Sequence, residues 1–279
     1  MLRRVLESAI RGIVDLDGYL CRIEYDGPLE PSAALLRSLH RQHLFTVPFE
    51  NLDISLETPI RLESPLLYEK IVRRRRGGFC YELNGLFCEL LTGLGFKVVM
   101  LSARVRSQNG GLGPEFDHML LKVELEVPWL ADVGFGESFV NPIPFRSGGA
   151  DEVNGRRYFV AAADDEWQLV LEDEQGQVPL YRFRDMPRQL ADYEEMCRFH
   201  QTSPESHFTR NWICSKATPN GRITLANMRL IITRDGVREQ SVLTTEAELR
   251  RCLRDQFGVE LPESADLAAL SVSSAKSLA

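Results

Sequence analysis

The hydrophobic pattern of this chain changes period at Gly93–Gly95, and that change limits the fold more than any other feature. Before it, apolar residues recur every three to four positions. Ala33, Leu35, Leu36, Leu39 and His43 follow this spacing in PSAALLRSLHRQH, and Pro31 stands where a helix start tolerates it. LLYEKIVRR (66–74) reads as another helix. Leu83, Leu86, Phe87, Leu90 and Leu91 form an apolar stripe that stops at the two glycines. LFTVPFENLDISL reads as extended and turn-like around Pro48. After Gly95 the pattern is β-rich: FKVVMLSARV, HMLLKVELEV, WLADVGFG, GRRYFVAAA, WQLVLEDE and VPLYRFR, separated by turn signals such as NGG, GP, SGG and EQG. Short strands at such spacing describe a small antiparallel barrel or sandwich.

From about Asp192 the pattern mixes again. DYEEMCRFHQ reads as a helix, and Arg222 to Thr233 and Glu239 to Leu243 as strands. TEAELRRCLRDQF reads as a helix opened by a capping box from Thr245 to Glu248. The tail SVSSAKSLA is small and polar and reads as loose. The order helical, then β, then mixed places the chain in the α+β class.

Bulk numbers exclude several functions. The 279 residues suggest about two domains at roughly 150 residues each. A net charge of −7 argues against general nucleic-acid binding and against a basic membrane-surface protein. No apolar run approaches the ~18 residues that span a bilayer. MLRRVLESAIRGIVDLDGYL is broken by Glu7, Arg11 and Asp15, so it reads as an amphipathic helix rather than a signal peptide. The six cysteines have no CxxC spacing, which disfavours a structural zinc site. Reduced thiols in a cytoplasm are the expectation.

One cysteine has a reactive context. In RRRRGGFCYELNGLF, Gly77-Gly78 lets the backbone bend sharply just before Cys80, and the apolar stripe starts just after it. Cys80 therefore belongs to the first turn of a helix, where free amides and the helix dipole favour a thiolate. The arginines upstream are expected to add to that field. Cys88 lies inside the stripe and reads as packing.

A nucleophilic thiolate needs a base, and the base an orienting group. His40 and His43 share a helix face, but no third metal ligand sits at a matching offset; surface or capping roles are expected for them. His118 opens the strand HMLLKVELE. Asp132 interrupts the apolar strand WLADVGFG, where a carboxylate needs a reason. A turn near Val127-Pro128 would pair the two strands as a hairpin and bring these residues close. An aspartate that accepts from the histidine Nδ1 fixes the imidazole tautomer. Cys80, His118 and Asp132 then read as nucleophile, base and orienting group.

These segments resemble the arylamine N-acetyltransferase family. RRRGGFCYELNGLF is similar to its active-site segment and VPFENLDI (47–54) to its N-terminal loop. DVGFG (132–136) is similar to its aspartate strand, and SPESHF (203–208) with NGRITL (220–225) to its C-terminal signature. The resemblance runs from about residue 15 to 235 and implies three domains: a helical bundle (1–92), an antiparallel β-barrel (93–192) and an α/β lid (193–279), around a cysteine-protease-like Cys-His-Asp core. It implies ping-pong transfer of acetyl from acetyl-coenzyme A, as a co-substrate, to an arylamine, a hydrazine or an N-arylhydroxylamine. No metal is implied, and oligomeric state is left open between monomer and homodimer.

By the same resemblance Phe49, Tyr81 and Val105 would wall the amine pocket, and Phe135, Gly136 and Phe208 would lie near the coenzyme A pantetheine. Arg76 is expected to order the active-site loop through an acidic partner, with Glu50 the candidate; Arg73 to Arg75 read as a solvated helix end. NGGLGP (109–114) is either a backbone that can approach a phosphate or a plain turn. Related amide synthases, which close or release a polyketide chain on the same triad, are the alternative. A papain-like or transglutaminase-like hydrolase shares the triad order but lacks the FEN and SPxSxF blocks.

Overall fold

The computed structural model describes residues 14–107, 109–146, 148–153, 155–267 and 270. Most of the expected N-terminal helix and the SVSSAKSLA tail lie outside these residues. Helix α1 (Leu16–Arg22) is followed by α2 (Ala33–Thr46), the two-residue strand β1 (Phe49–Glu50), and the single turns α3 (Leu52–Ser55) and α4 (Ser64–Tyr68). α4 continues as one wider, π-helical turn over Glu69–Arg73, so the expected 66–74 helix is present but not uniform. Helix α5 (Cys80–Gly93) forms the centre of this layer. It is buried almost all round, including Leu83, Leu86, Phe87, Leu90 and Leu91, so the stripe read from the sequence is one side of a fully enclosed helix.

Beyond Gly95, which takes φ +94° at the turn, the chain enters an eight-stranded antiparallel sheet. Its strands are β2 (Lys97–Val105), β3 (His118–Glu124), β4 (Trp129–Ala131), β5 (Ile143–Pro144), β6 (Ala150–Val153), β7 (Arg156–Ala163), β8 (Glu166–Asp173) and β9 (Gly176–Phe183), in the order β5-β4-β3-β2-β9-β8-β7-β6. The edge strand β5 approaches β6 and β7, so the sheet curls into a barrel around Leu101, Leu120, Leu130, Val160, Leu169 and Tyr181. β3 and β4 form the expected hairpin, with Leu121 opposite Ala131 and Val123 opposite Trp129.

The last part holds helix α6 (Glu194–Thr202), the turn α7 (His207–Arg210), and strands β10 (Ile213–Thr218), β11 (Gly221–Ala226), β12 (Arg229–Arg234) and β13 (Val237–Val242). Helix α8 (Glu246–Cys252) follows, opened by the Thr245–Glu248 capping box. The expected single strand from Arg222 to Thr233 is two strands. Asn227 and Met228 both take positive φ, 46° and 68°, and turn the chain back. The sequence signal was weak because methionine seldom occupies that conformation.

Two features tie these parts together at the site. β1 joins the sheet of the last part, pairing Phe49 with Ser215, and it also bridges Gly78 through the Glu50 N–H, 2.9 Å from the Gly78 carbonyl. Arg22, buried, donates to the carbonyls of Ile71, Thr46, Arg75 and Arg76. It thereby fixes the chain leading to Cys80, because an interior guanidinium keeps as many partners as it can reach.

Candidate active site

Cys80 is the first residue of α5, and Phe79 before it is extended. Phe79 has no acceptor in its side chain. Glu82 instead reaches back to the Phe79 N–H at 3.1 Å, half of a capping box. The first-turn amides from Cys80 onward have no carbonyl one turn back to bond, as at any helix start. Gly134 explains why a glycine must face this turn: a Cβ there would stand 2.7 Å from the Cys80 Cα and 2.8 Å from the Asn84 Nδ2.

His118, the first residue of β3, and Asp132, just past the end of β4, meet as the hairpin requires. His118 Nε2 lies 2.7 Å from Asp132 Oδ2. The nitrogen differs from the expected Nδ1: the aspartate holds Nε2. Both side chains are buried. Asp132 also accepts from Tyr181 Oη at 3.0 Å, Asn84 Nδ2 at 2.9 Å and the Gly134 N–H at 3.0 Å. Burial alone would raise its carboxyl, but the His118 charge and these donors outweigh it and hold the group below the usual carboxylate range.

The environment of Cys80 departs from the expected preformed thiolate. Burial pushes its thiol well up, and the carboxylates of Asp132 and Asp117 push the same way; the Met119 amide pulls down. Helix position does not offset the loss of water in a site this closed. The arginine run contributes little: Arg73 and Arg74 are about 70% exposed and pair with Glu69. A thiolate at Cys80 therefore requires its proton to be kept nearby, on the imidazole.

Arg76 is buried and turned away from the thiol. Its Nε lies 2.9 Å from Glu50 Oε1, and its NH2 2.7 Å from Asp53 Oδ1. Lys70 extends the cluster, 2.8 Å from Asp53 Oδ2 and 2.7 Å from Glu82 Oε1. This network sits behind the loop 76–80 and ends on the helix that begins with the cysteine.

Cys80 and His118 open on a cleft of about 1470 Å³. Phe49, Val105, Phe135, Gly136 and Phe208 also line it, as do Asn109, Gly113 and Pro114 of the glycine-containing loop. Tyr81 does not. It is fully buried, and its hydroxyl donates to the carbonyls of Phe116 at 2.7 Å and Asp117 at 3.2 Å. One position after the helix start, its side chain points to the core side of the turn.

Several residues went unread. His40 and His43, expected at the surface, are fully buried. His40 Nε2 accepts from the Asp132 N–H and Nδ1 donates to the Val140 carbonyl at 2.8 Å. Asn84 donates to the Met119 carbonyl and accepts from the Val133 N–H. The polar Asn84 within an apolar helix was the one signal on offer for it.

Comparison with known proteins gives one answer throughout. The N-acetyltransferase family model matches residues 32–266. The arylamine N-acetyltransferase of Escherichia coli is 35% identical over 89% of this chain and 90% of its own. That of Mycolicibacterium smegmatis is 34% identical over 90% and 94%. A solved structure of the Mycobacterium marinum arylamine N-acetyltransferase in complex with CoA superposes with a TM-score of 0.85 at 32% identity, covering 94% of this chain and 99% of that one.

Proposed function

The chain belongs to the arylamine N-acetyltransferase family, and we propose that it moves an acetyl group from acetyl-coenzyme A to an aromatic amine through Cys80, His118 and Asp132. The observation that carries the reading is the buried His118–Asp132 pair, 2.7 Å apart, whose imidazole lines the same cleft as the helix-start thiol.

The chemistry follows from the residues. His118 takes the thiol proton as Cys80 Sγ attacks the thioester carbonyl. Asp132 stabilises the imidazolium that forms and, by holding Nε2, fixes the ring; Nδ1 is the nitrogen assigned to the thiol on this reading. First-turn amides of α5 are suited to the developing oxyanion, each well-aimed donor contributing roughly 3 kcal/mol. The carbon–sulfur bond to coenzyme A breaks, the coenzyme A sulfur takes a proton from His118, and acetyl-Cys80 remains. The amine then attacks that carbonyl, passes a proton to His118, and the Cys80 sulfur leaves and is reprotonated. Exchange between two thioesters costs little, which suits a thiol nucleophile.

Arylamines, arylhydrazines and N-arylhydroxylamines share the nucleophilic nitrogen that this second half-reaction needs. A relative from Salmonella typhimurium is named arylamine N-acetyltransferase / N-hydroxyarylamine O-acetyltransferase. Phe49 and Val105 are the pocket walls on this reading, with Phe135, Gly136 and Phe208 toward the pantetheine. Arg76 with Glu50 holds the loop. The named relatives give the amide-synthase alternative no support. No helix among the described residues is long and apolar enough to cross a membrane; a cytoplasmic setting fits the free thiols.

The test is release of free coenzyme A from acetyl-coenzyme A with p-anisidine, followed by mass spectrometry of the enzyme without amine. An acetyl adduct on Cys80 supports the reading. Absence of both adduct and turnover in the unmodified protein overturns it.

A further inference from the structure

The cleft holds a second imidazole–carboxylate pair that the proposed reaction does not use. His200, on α6, and Asp117, directly before His118, both line the cleft. His200 Nε2 stands 3.3 Å from Asp117 Oδ1, yet it makes no aligned hydrogen bond to any described residue. His200 is 6% exposed. A buried polar nitrogen without an aligned partner costs free energy unless something else supplies the bond.

The rest of the pair is fixed. Ser206 Oγ accepts from the Phe208 N–H at 3.2 Å, so its own hydrogen is free for His200 Nδ1 at 3.1 Å. With the hydroxyl donating to Nδ1, the imidazole hydrogen sits on Nε2, the nitrogen beside the Asp117 carboxylate oxygen. Asp117 Oδ2 accepts from the Val105 N–H at 3.3 Å. Phe208, whose ring centroid is 5.2 Å from that of His200, and Phe49, 6.3 Å from Phe208, continue the same wall as flat apolar surfaces. Glu137 and Glu205 also line the cleft, as do Arg106 and Arg210. Of the cleft carboxylates, Asp117 is the one whose charge bears on the Cys80 thiol.

Resting on the acetyl-transfer reading above, we propose that Asp117 and His200 form an acceptor-selecting notch. It favours aromatic amines whose ring carries a neutral group that can donate to Asp117 and accept from His200 Nε2, such as a carboxamide, and it disfavours amines whose ring carries a carboxylate. A carboxylate would meet Asp117 as a like charge in a poorly hydrated wall, where repulsion is strongest. A carboxamide offers one donor and one acceptor side by side, the complement of this pair.

The experiment measures kcat/KM with acetyl-coenzyme A for aniline, 4-aminobenzamide and 4-aminobenzoate, using the parent chain, Asp117→Asn and His200→Phe. Each substituted amine is expressed as a ratio to aniline, so general damage to the enzyme cancels. Asp117→Asn is expected to raise the 4-aminobenzoate ratio about tenfold, and less at high salt. His200→Phe keeps a flat ring but removes the Nε2 donor, and is expected to lower the 4-aminobenzamide ratio about fivefold. An aminobenzoate ratio that stays within twofold in a folded Asp117→Asn protein overturns the inference. If that protein does not fold, a benzamide ratio within twofold in His200→Phe overturns it instead. Failure of the parent chain to acetylate aniline at all defeats the acetyl-transfer reading, a separate result.

Discussion

His40 holds the backbone of Asp132: its Nε2 lies 3.1 Å from the Asp132 N–H, across 92 residues of sequence. The other ring nitrogen donates to Val140, and the ring stacks on Phe139 at 5.5 Å with 9° between planes. The aspartate that orients His118 is thus set from its main chain by one histidine while its side chain holds another. Burial keeps His40 below the usual imidazole range, despite the pull of Val140 and Asp132, so it stays a neutral acceptor. His40→Ala is expected to cost about 3 kcal/mol by leaving that amide unpaired and a cavity against Phe139. Denaturant unfolding measures the loss, and kcat should fall alongside it.

The pH dependence of stability has a definite sign. Burial lowers His40, and lowers His43 well below 6.5. The unfolded chain therefore takes up their protons as pH falls through about 6.5, while the folded chain takes them up only at lower pH. In that window the unfolded state binds more protons, so stability is full above about pH 6.5 and is lost as pH falls, by up to about 1.4 kcal/mol per pH unit per histidine. Glu82, pushed up to about 7 by burial, has the opposite sign: its contribution is lost as pH rises toward 7. The readout is accordingly the difference between parent and His43→Phe at each pH. That difference should be nearly flat above about pH 7 and change as pH falls from about 6.5 to 5.5; a constant difference across that lower range would count against a buried neutral His43.

Cys80→Ser and Cys80→Ala are expected to lower turnover by about 10³ or more while far-ultraviolet circular dichroism stays unchanged. Iodoacetamide should modify Cys80 ahead of the buried Cys88, Cys197, Cys214 and Cys252, with a rate that collapses in His118→Gln, since the thiolate depends on the proton stored there. Peptide mass mapping after partial labelling gives the order. Equal labelling of the buried thiols would contradict an imidazole-supported nucleophile.

Gly134→Ala tests the close approach of the aspartate loop to the helix start. The new methyl would meet the Cys80 Cα at 2.7 Å, which is backbone and cannot swing aside. A stability loss of about 2 kcal/mol is expected from the overpacking, together with a fall in kcat of more than about tenfold, because misplacing a reacting group by an ångström has effects of that order. Wild-type kcat in this variant would show that the contact does not set the thiol.

Arg76→Met removes the cation between Glu50 and Asp53 and leaves both carboxylates buried. Breaking a buried pair in this way costs about 3–5 kcal/mol. Lys70 remains beside Asp53, so the lower part of that range is expected by thermal or guanidinium unfolding. Lys at this position should rescue only partly, since one ammonium cannot make the two-sided contact of the guanidinium.

What the sequence made legible was local. Gly77-Gly78 before an apolar stripe placed Cys80 at a helix start, and a short turn at Val127-Pro128 folded His118 back toward Asp132. Those inferences need only neighbouring residues or one tight turn. The arrangement of whole layers also came through, because the period of the apolar residues reports which faces are covered. Contacts made across long separations did not come through. His40 to Asp132, Tyr181 to Asp132, and His200 to Asp117 join different elements, and each residue alone looks like an ordinary helix or strand position. The thiol environment differs from the expectation for the same reason: the degree of enclosure around Cys80 depends on the Gly134 loop and on Met119 of β3, which the local segment cannot report.

The short strand Phe49–Glu50, bonded both to Gly78 and to β10, has a consequence for biosynthesis. Ser215 leaves the ribosome roughly 135 residues after Cys80, a delay of about 7–27 seconds at common elongation rates. Until then β1, which bonds the loop before the thiol, lacks one of its two neighbours. A newborn chain thus carries the Cys80 thiol before the strand that backs β1 exists, and termination between β3 and β10 would release the thiol with its imidazole but without that support.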